Sequence, residues 1–384
     1  MNNFSDPLGL AQALIRCKSI TPKNEGALEI ISSALTSLGF KCWRLPFSEP
    51  GTQDVDNLFA RLGSNRPHLC FAGHVDVVPV GDLGSWTFSP FEATVHQGNL
   101  YGRGSVDMKG AIAAFVAGLS RYLEESENKN PDGSISLLIT GDEEGPAING
   151  TKKVLKWIES NNHKIDACIV GEPTNPVELG DMIKIGRRGS LNANLIVSGT
   201  QGHAAYPHLA DNPVTKLISM LGWLTSISLD NGTDHFEPSN IEVTSIDIGN
   251  SAHNVIPSKA QAKFNVRFND LHTGSSLVEM INDGFQEITK DFTLDTDITG
   301  EAFINNQGEF SSIISKSVNQ ITGKDPVLST SGGTSDARFI KDYCPVIEFG
   351  LSGKTMHKID ENVSLKELEM LSAIYLDILK KFFL

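Results

Sequence analysis

Cysteine is scarce and scattered in this sequence of 384 residues. Its five cysteines are odd in number and never form a CxxC pair, so neither a disulfide framework nor a thiolate zinc knuckle fits. The longest uncharged apolar stretch, roughly 217–229, is too short to span a bilayer. The N-terminal residues carry Asp6 and an amphipathic pattern in place of the basic stretch and apolar run of a signal peptide. We therefore expect a cytoplasmic protein with no membrane segment.

Basic residues are in deficit, with 32 Lys and Arg against 46 Asp and Glu and a formal net charge of −14. This sign opposes a nucleic-acid backbone and an anionic membrane surface, so neither is an expected partner. Apolar residues make up 40% and charged residues 20%, which is typical of a globular protein and excludes disorder as the main state. The length suggests about two domains.

The periodicity of apolar residues indicates an α/β fold, because helical patterns alternate with short buried strands. Helices are expected at about 5–19, 25–38, 108–125, 151–161, 309–321 and 364–382, and strands at LCFAG, SISLLIT, ACIVG and PVIEFG. Between about 188 and 302, the alternating segments Leu191–Val197, Glu242–Ile248 and Ala262–Phe268 accompany helical patterns near 212–227 and 275–290. We therefore expect a catalytic domain of residues 1–187 and 303–384, with a central mixed sheet flanked by helices. A smaller α+β dimerisation (lid) domain of residues 188–302 interrupts it.

Side chains with metal-binding chemistry follow several predicted strands. LCFAGHVDVVP places His74 at a strand end, with Asp76 two residues on to accept the second ring N–H. Asp107 follows a glycine-rich turn, and SISLLITGDEEG delivers Glu143 and Glu144 into a tight loop. Taken singly, each feature also fits an ordinary strand end, helix start or solvated acidic turn.

The arrangement of these residues is more informative than any one of them. Glu172 in ACIVGEPT and His357 in MHKIDE follow two further strands. Adjacent carboxylates repel one another unless a cation neutralises some of them or one has a raised pKa and acts as a general acid or base. The set matches a metal site at one sheet edge, with the ligands His74, Asp107, Glu144, Glu172 and His357. Imidazole and carboxylate ligands without thiolate suit zinc, cobalt or manganese.

The sequence resembles the aminoacylase/desuccinylase family of co-catalytic zinc hydrolases over nearly its whole length. The resemblance rests on GHVDVVP, YGRGSVDMKG, GDEEG, GEPT, GHAAYPH and MHKIDE, in the family's order. Within the family, GRRGSL at 186–191 and SGGTSDARF at 331–339 are most similar to the bacterial desuccinylases. The resemblance implies a homodimer that hydrolyses an N-succinyl amide, a small dicarboxylate substrate. It also implies two zinc ions per subunit, with cobalt able to substitute at one site.

The resemblance further assigns roles to the acidic residues and histidines. It implies that His74 and Glu172 bind one zinc, that Glu144 and His357 bind the other, and that Asp107 bridges the two ions. Glu143 is then the general base, Asp76 is the partner of His74, and the peptide bond after Asp107 is cis. His203 in GHAAYPH is expected to reach the active site of the neighbouring subunit and to stabilise the oxyanion.

The substrate carboxylates are assigned by the same resemblance. The expected binding residues are Arg187, Asn254, Arg267, Thr334 and Arg338. A planar guanidinium suits this task because it can bind a carboxylate bidentately. For each arginine, an ordinary surface or interdomain ion pair is the alternative. His253 and Gly353 stand where some relatives have asparagine, which could alter substrate binding.

Other activities remain open from sequence alone. An N-acetylornithine deacetylase or a dipeptidase would share the metal site and differ in the pocket, and GRRGS and SGGTSD favour the desuccinylase. A non-catalytic metal-binding scaffold is expected to lack the base, whereas Glu143 is present.

Overall fold

The structure is a computed structural model that describes residues 4–126, 130–305 and 308–384. Its helices are α1 (Pro7–Arg16), α2 (Ala27–Ser37), α3 (Lys109–Glu125), α4 (Thr151–Ser160), α5 (Pro213–Ser226), α6 (Gly274–Gln286), α7 (Glu309–Thr322), α8 (Ala337–Ile340) and α9 (Leu365–Phe382). No helix within the described ranges is both long and apolar enough to cross a membrane.

The strands range from long strands of large sheets to short strands that form small separate pairs. In chain order they are β1 (Lys41–Phe47), β2 (Val55–Gly63), β3 (His68–His74), β4 (Thr94–His96), β5 (Asn99–Tyr101), β6 (Ser134–Thr140), β7 (Ala167–Val170), β8 (Met182–Lys184), β9 (Gly186–Arg187), β10 (Gly189–Ser198), β11 (Gly202–His203), β12 (Asn240–Asp247), β13 (Val255–Ile256), β14 (Lys259–Phe268), β15 (Phe292–Gly300), β16 (Phe303–Ile304), β17 (Val327–Ser329), β18 (Val346–Glu348) and β19 (Asn362–Ser364).

The chain divides into two compact units. The first contains the residues up to Ile185 together with Asn305–Ser329 and Ser335–Leu384, and the second contains Gly186–Ile304 and Thr330–Thr334. The segment Thr330–Thr334 therefore groups with the second unit, whereas the sequence predicts that 303–384 belongs to the first domain. Hydrogen bonds explain this difference, because Thr330 Oγ1 donates to the His235 carbonyl and Arg187 Nη1 donates to the Gly333 carbonyl.

A mixed eight-stranded sheet forms the centre of the first unit, in the order β1-β2-β6-β3-β7-β18-β8-β17. Strands β6, β3, β7 and β18 run parallel to one another. At one edge β2 pairs antiparallel with β6, and β1 pairs antiparallel with β2. The central strands β3, β6 and β7 are buried along their whole length, as expected where helices cover both faces. This confirms the predicted α/β class with a mixed sheet and flanking helices.

Helices α3 and α9 pack closely beside this sheet. The ring of Phe71 on β3 stacks on Phe115 of α3 with centroids 4.2 Å apart, and Phe115 lies 5.5 Å from the ring of Tyr375 on α9. A Cβ atom at Gly118 would lie 2.6 Å from the Ser372 carbonyl oxygen, so glycine allows the two helix backbones to approach. The small residues of AIAAFVAGL thus serve close helix packing.

The second unit is a four-stranded antiparallel sheet in the order β12-β14-β10-β15. Alternate residues of β10 and β14 point into an apolar core that includes Leu191 and Val266. Helices α5 and α6 complete this core through residues such as Leu217 and Ile281. The opposite face of the sheet carries polar side chains, among them Ser190 and Asn192.

Candidate metal centre

The parallel strands of the first unit deliver the candidate ligands to one sheet edge. Strand β3 ends at His74, and its neighbours β6 and β7 are followed by the GDEEG and GEPT loops. Since the carboxyl ends of adjacent parallel strands meet at the same edge, His74, Glu144 and Glu172 are drawn together.

One group of ligand atoms contains His74, Asp107 and Glu172, with one atom of each within 4.8 Å of the others. His74 Nε2 lies 3.2 Å from Asp107 Oδ1 and 3.7 Å from Glu172 Oε1. All three residues are buried, and Glu172 Oε1 has no hydrogen-bond partner among the described residues. A buried carboxylate oxygen without a donor is costly, so this group fits a bound cation.

A second group contains Asp107, Glu144 and His357, again with one ligand atom of each within 4.8 Å of the others. His357 Nε2 lies 3.1 Å from Asp107 Oδ2 and 2.9 Å from Glu144 Oε1. Asp107 therefore directs Oδ1 toward His74 and Oδ2 toward His357. A single carboxylate shared by two ligand groups has the chemistry of a bridge between two cations.

The carboxylates of the cluster favour the protonated forms of its two histidines. Burial opposes a charged His74, but the hydrogen bond to Asp107 and the nearby carboxylates outweigh it and raise the pKa of His74 well above its usual range. Hydrogen bonds with Asp107 and Glu144 raise the pKa of His357 to about 10. Within the described ranges, only these two histidines form ion pairs with the carboxylates of the cluster. Divalent cations would take the place of these protons.

Glu143 lies beside the ligand groups and belongs to neither of them. Its Oε2 is 4.0 Å from His74 Nε2. Burial, followed by the charges of Asp336 and Glu144, raises the pKa of Glu143 well above its usual range despite the opposing effect of His74. A carboxyl group with a raised pKa that lies beside two candidate ligand groups can accept and return a proton.

Asp76 contacts His74 in a way that differs from the expectation. The His74 Nδ1–H donates to the backbone carbonyl of Asp76 at 2.9 Å, while the nearer carboxylate oxygen is 3.6 Å away. The carboxylate instead accepts the backbone N–H groups of Glu143 and Glu144 at 3.3 and 3.1 Å. Asp76 therefore orients His74 through its main chain and the GDEEG loop through its side chain.

Sequence reasoning missed Glu361 as a residue that positions Asp107. The buried Glu361 carboxylate accepts the backbone N–H groups of Val106 and Asp107 at 2.9 and 3.2 Å. Its other oxygen accepts from Arg103 Nη1 at 2.7 Å. The peptide bond after Asp107 is cis, as the resemblance implied. The only signal for Glu361 in the sequence was its place at the end of the MHKIDE motif.

The expected substrate-binding residues are distributed over both units. The second unit holds Arg187, Asn254, Arg267 and Thr334, and the first holds Arg338. The second unit also holds His203, the residue expected to stabilise the oxyanion. His203 is exposed, and its Nδ1 accepts the backbone N–H of Ala205 at 3.0 Å. The Arg338 guanidinium lies 4.6 Å from the ring centroid of Phe339.

Comparison with known proteins matches the chain to one peptidase family and to relatives that share one name. The profile of Peptidase family M20/M25/M40 matches residues 70–381. A succinyl-diaminopimelate desuccinylase of Rhodospirillum centenum is 57% identical over 378 residues, covering 98% of this chain and 97% of that protein. The corresponding protein of Rhodospirillum rubrum is 53% identical over 393 residues, covering 99% of each.

Solved structures with low sequence identity share the fold. The M20 family metallo-carboxypeptidase Sso-CP2 of Sulfolobus solfataricus superposes with a TM-score of 0.79 at 18% identity, covering 98% of this chain and 99% of that one. The Bacillus subtilis YXEP protein, described as a dinuclear metal-binding peptidase of the M20 family, gives 0.70 at 14% identity, covering 97% and 96%.

Proposed function

Because the chain belongs to peptidase family M20/M25/M40, we propose that it is the metal-dependent amidohydrolase that desuccinylates N-succinyl-LL-2,6-diaminopimelate. The products are succinate and LL-2,6-diaminopimelate, and the reaction is a step of diaminopimelate and lysine biosynthesis. Three relatives that are 53% to 57% identical over nearly the full chain carry this activity in their names.

The observation that carries the chemistry is the shared carboxylate of Asp107, which faces both ligand groups. His74, Asp107 and Glu172 would hold one metal ion, and Asp107, Glu144 and His357 the other. When bound, two metal ions supply an activated water and polarise the scissile carbonyl. Glu143 accepts the proton of the attacking water on its carboxylate and returns that proton to the leaving amine. Glu172 and Glu144, as ligands, carry no proton in this step.

Zinc is the metal that the donor set favours in our proposal, with cobalt able to replace it at one site. Imidazole and carboxylate donors without thiolate suit both ions. Metal titration of the metal-free protein tests this assignment and should saturate at two ions per subunit. His357→Ala should reduce the stoichiometry to one.

We place the enzyme in a homodimer formed through the second unit. Strand β12 is an edge strand, and such an edge presents unpaired backbone groups to another chain. Ile246 on β12 and Ile218 on the neighbouring helix α5 are 59% and 64% exposed. Exposed aliphatic side chains beside an open sheet edge support an interface at this face. His203 would then stabilise the oxyanion in the partner subunit's site.

The cytoplasm remains the proposed location, since the described cysteines are all free. The activity itself is tested by comparing N-succinyl-diaminopimelate with N-acetylornithine and a dipeptide as substrates.

A further inference from the structure

The polar face of the second unit carries a row of side chains across three strands. Ser190 of β10 pairs with Arg267 of β14, and Arg267 pairs with Asn240 of β12. Directly paired residues project from the same face of a sheet. The neighbouring residues Leu191 and Val266 belong to the apolar core, so this row lies on the face opposite that core.

Arg188 extends this row. It lies two residues before Ser190, and its Nη1 donates to Asn240 Oδ1 at 3.1 Å. The preceding Arg187 has a different partner, the Gly333 carbonyl at 3.0 Å. The two arginines of the GRRG motif therefore have separate surroundings. Of these two arginines, only Arg187 was expected from the sequence to bind substrate.

Arg188 and Arg267 are neighbouring cations, and no carboxylate among the described residues forms an ion pair with either of them. Within the described part of the chain, the Arg267 guanidinium has no hydrogen-bond or ion-pair partner, and Arg188 Nε is buried without one. Burial lowers the pKa of Arg267, and the positive charge of Arg188 lowers it further. The carboxylate that contacts the row, Glu242, accepts from the Asn240 amide and from neither arginine. Adjacent half-buried cations are unfavourable unless an anion joins them.

We propose that Arg188 is a substrate-binding residue that acts together with Arg267 to bind one carboxylate of the substrate. The inference rests on the proposed function, which supplies a substrate with carboxylates at both ends. A guanidinium presents a planar fork of N–H donors that matches a carboxylate. Ser190 lies in the same row, where its Oγ accepts from the Asn265 side-chain amide at 3.3 Å. Arg188 thereby adds a specificity contact that neither the motifs nor the relatives' names assign.

The test compares zinc-loaded Arg188→Gln and Arg188→Lys with wild type. We expect Arg188→Gln to lower kcat/KM for N-succinyl-diaminopimelate about 10- to 100-fold, mainly through KM, at unchanged metal content. Arg188→Lys keeps the charge and loses the fork, so its loss should be smaller. Arg44→Gln is the matched control, because Arg44 already pairs with Glu29 and Asp56, and it should keep wild-type kcat/KM.

Binding of the products to the metal-free protein provides a readout that is independent of turnover. Calorimetry with succinate and with diaminopimelate should show that Arg188→Gln weakens one of them by a similar factor. If succinate binding is lost, the pair holds the distal succinyl carboxylate, and if diaminopimelate binding is lost, it holds the other end. Should Arg188→Gln fail to fold by circular dichroism, the same comparison is made with Arg188→Lys.

The experiments distinguish a failure of the proposed function from a failure of the inference about Arg188. A wild-type enzyme that does not hydrolyse N-succinyl-diaminopimelate would refute the proposed function. An active wild type whose kcat/KM and product binding are unchanged by Arg188→Gln would refute this inference alone.

Discussion

The carboxylate of Asp76 accepts the backbone N–H of Glu144 at 3.1 Å. Its other oxygen accepts the N–H of Glu143 at 3.3 Å. A residue at the end of one strand thus fixes the loop that carries both the proposed base and a proposed metal ligand. The backbone carbonyl of Asp76 separately fixes the His74 ring. Side chain and main chain of one residue therefore serve different parts of the site.

This division predicts the effect of Asp76→Asn. The amide group keeps the size of the side chain but opposes one loop N–H with another donor, so the loop should shift. We expect kcat to fall about 10- to 100-fold, as for other residues that orient a metal site. The His74 orientation should survive, because its partner is the main chain.

Steady-state kinetics and elemental analysis of the same preparation test this prediction. Asp82→Asn, in an exposed turn, is the control and should leave both quantities unchanged. Unchanged kcat in Asp76→Asn, or loss of both metals from it, would show that the carboxylate does not act through the loop.

Glu143 and Glu144 are adjacent in sequence yet should respond differently to the same substitution. Glu143→Gln removes the proton carrier and spares both ligand groups, so kcat should fall by about two to four orders of magnitude at full metal content. Glu144→Gln removes a ligand that lies 2.9 Å from His357 Nε2, so it should weaken one metal. Metal titration of both variants shows which of the two residues is a metal ligand. Equal metal loss in both would contradict the division between base and ligand.

His68 predicts an acid-sensitive component of stability that is remote from the metal ligands. Its ring is buried and bonds to the Lys164 carbonyl at 2.7 Å and to Ser136 Oγ at 2.8 Å. Burial lowers its pKa to about 4, whereas in the unfolded chain it is about 6.5. The unfolded state therefore binds more protons between these values, and stability is lost as the pH falls through that window, by at most about 1.4 kcal/mol per pH unit.

Urea unfolding of the metal-free protein from about pH 7 to about pH 4 measures this component. His68→Gln should be less stable at neutral pH but should show a shallower fall with acid than wild type. The same slope in both proteins would mean that other groups account for the acid sensitivity.

The proposed dimer face can be disrupted with single charges. Ile218→Asp and Ile246→Asp place a carboxylate on exposed aliphatic positions beside the β12 edge, so they should yield monomers in light scattering. Activity should fall with the dimer, because His203 would no longer reach the partner subunit's site. Leu271→Asp is the control, since Leu271 is similarly exposed in the same unit but is not on β12 or α5. A fully active monomer would exclude a role for His203 in the partner.

The sequence predicts the elements that have strong local signals. SISLLIT is β6, and the apolar pattern at 151–161 corresponds to α4 at Thr151–Ser160. Motifs at strand ends also bring His74 and Glu172 to one edge, since parallel strands share their direction. The paired strands β1 and β2 were not predicted from the sequence. The first of them, Lys41–Phe47, is an edge strand with a mixed burial pattern.

Contacts between distant segments could not be predicted from local patterns. Glu361 bonds to the Asp107 backbone across 254 positions, and no periodicity links the two. His74 bonds to the backbone carbonyl of Asp76 and not to its carboxylate, because the carboxylate accepts a hydrogen bond from the GDEEG loop. This depends on the position of that loop, which local patterns do not predict. The contact of Arg188 with Asn240 likewise depends on the register of three strands.

The most direct measurement offers N-succinyl-LL-2,6-diaminopimelate, N-acetylornithine and a dipeptide side by side to the zinc-loaded enzyme and compares kcat/KM. The account predicts that the succinylated substrate is preferred by a wide margin and that Glu143→Gln lowers this activity by about two to four orders of magnitude. A higher kcat/KM for either of the other substrates would contradict it.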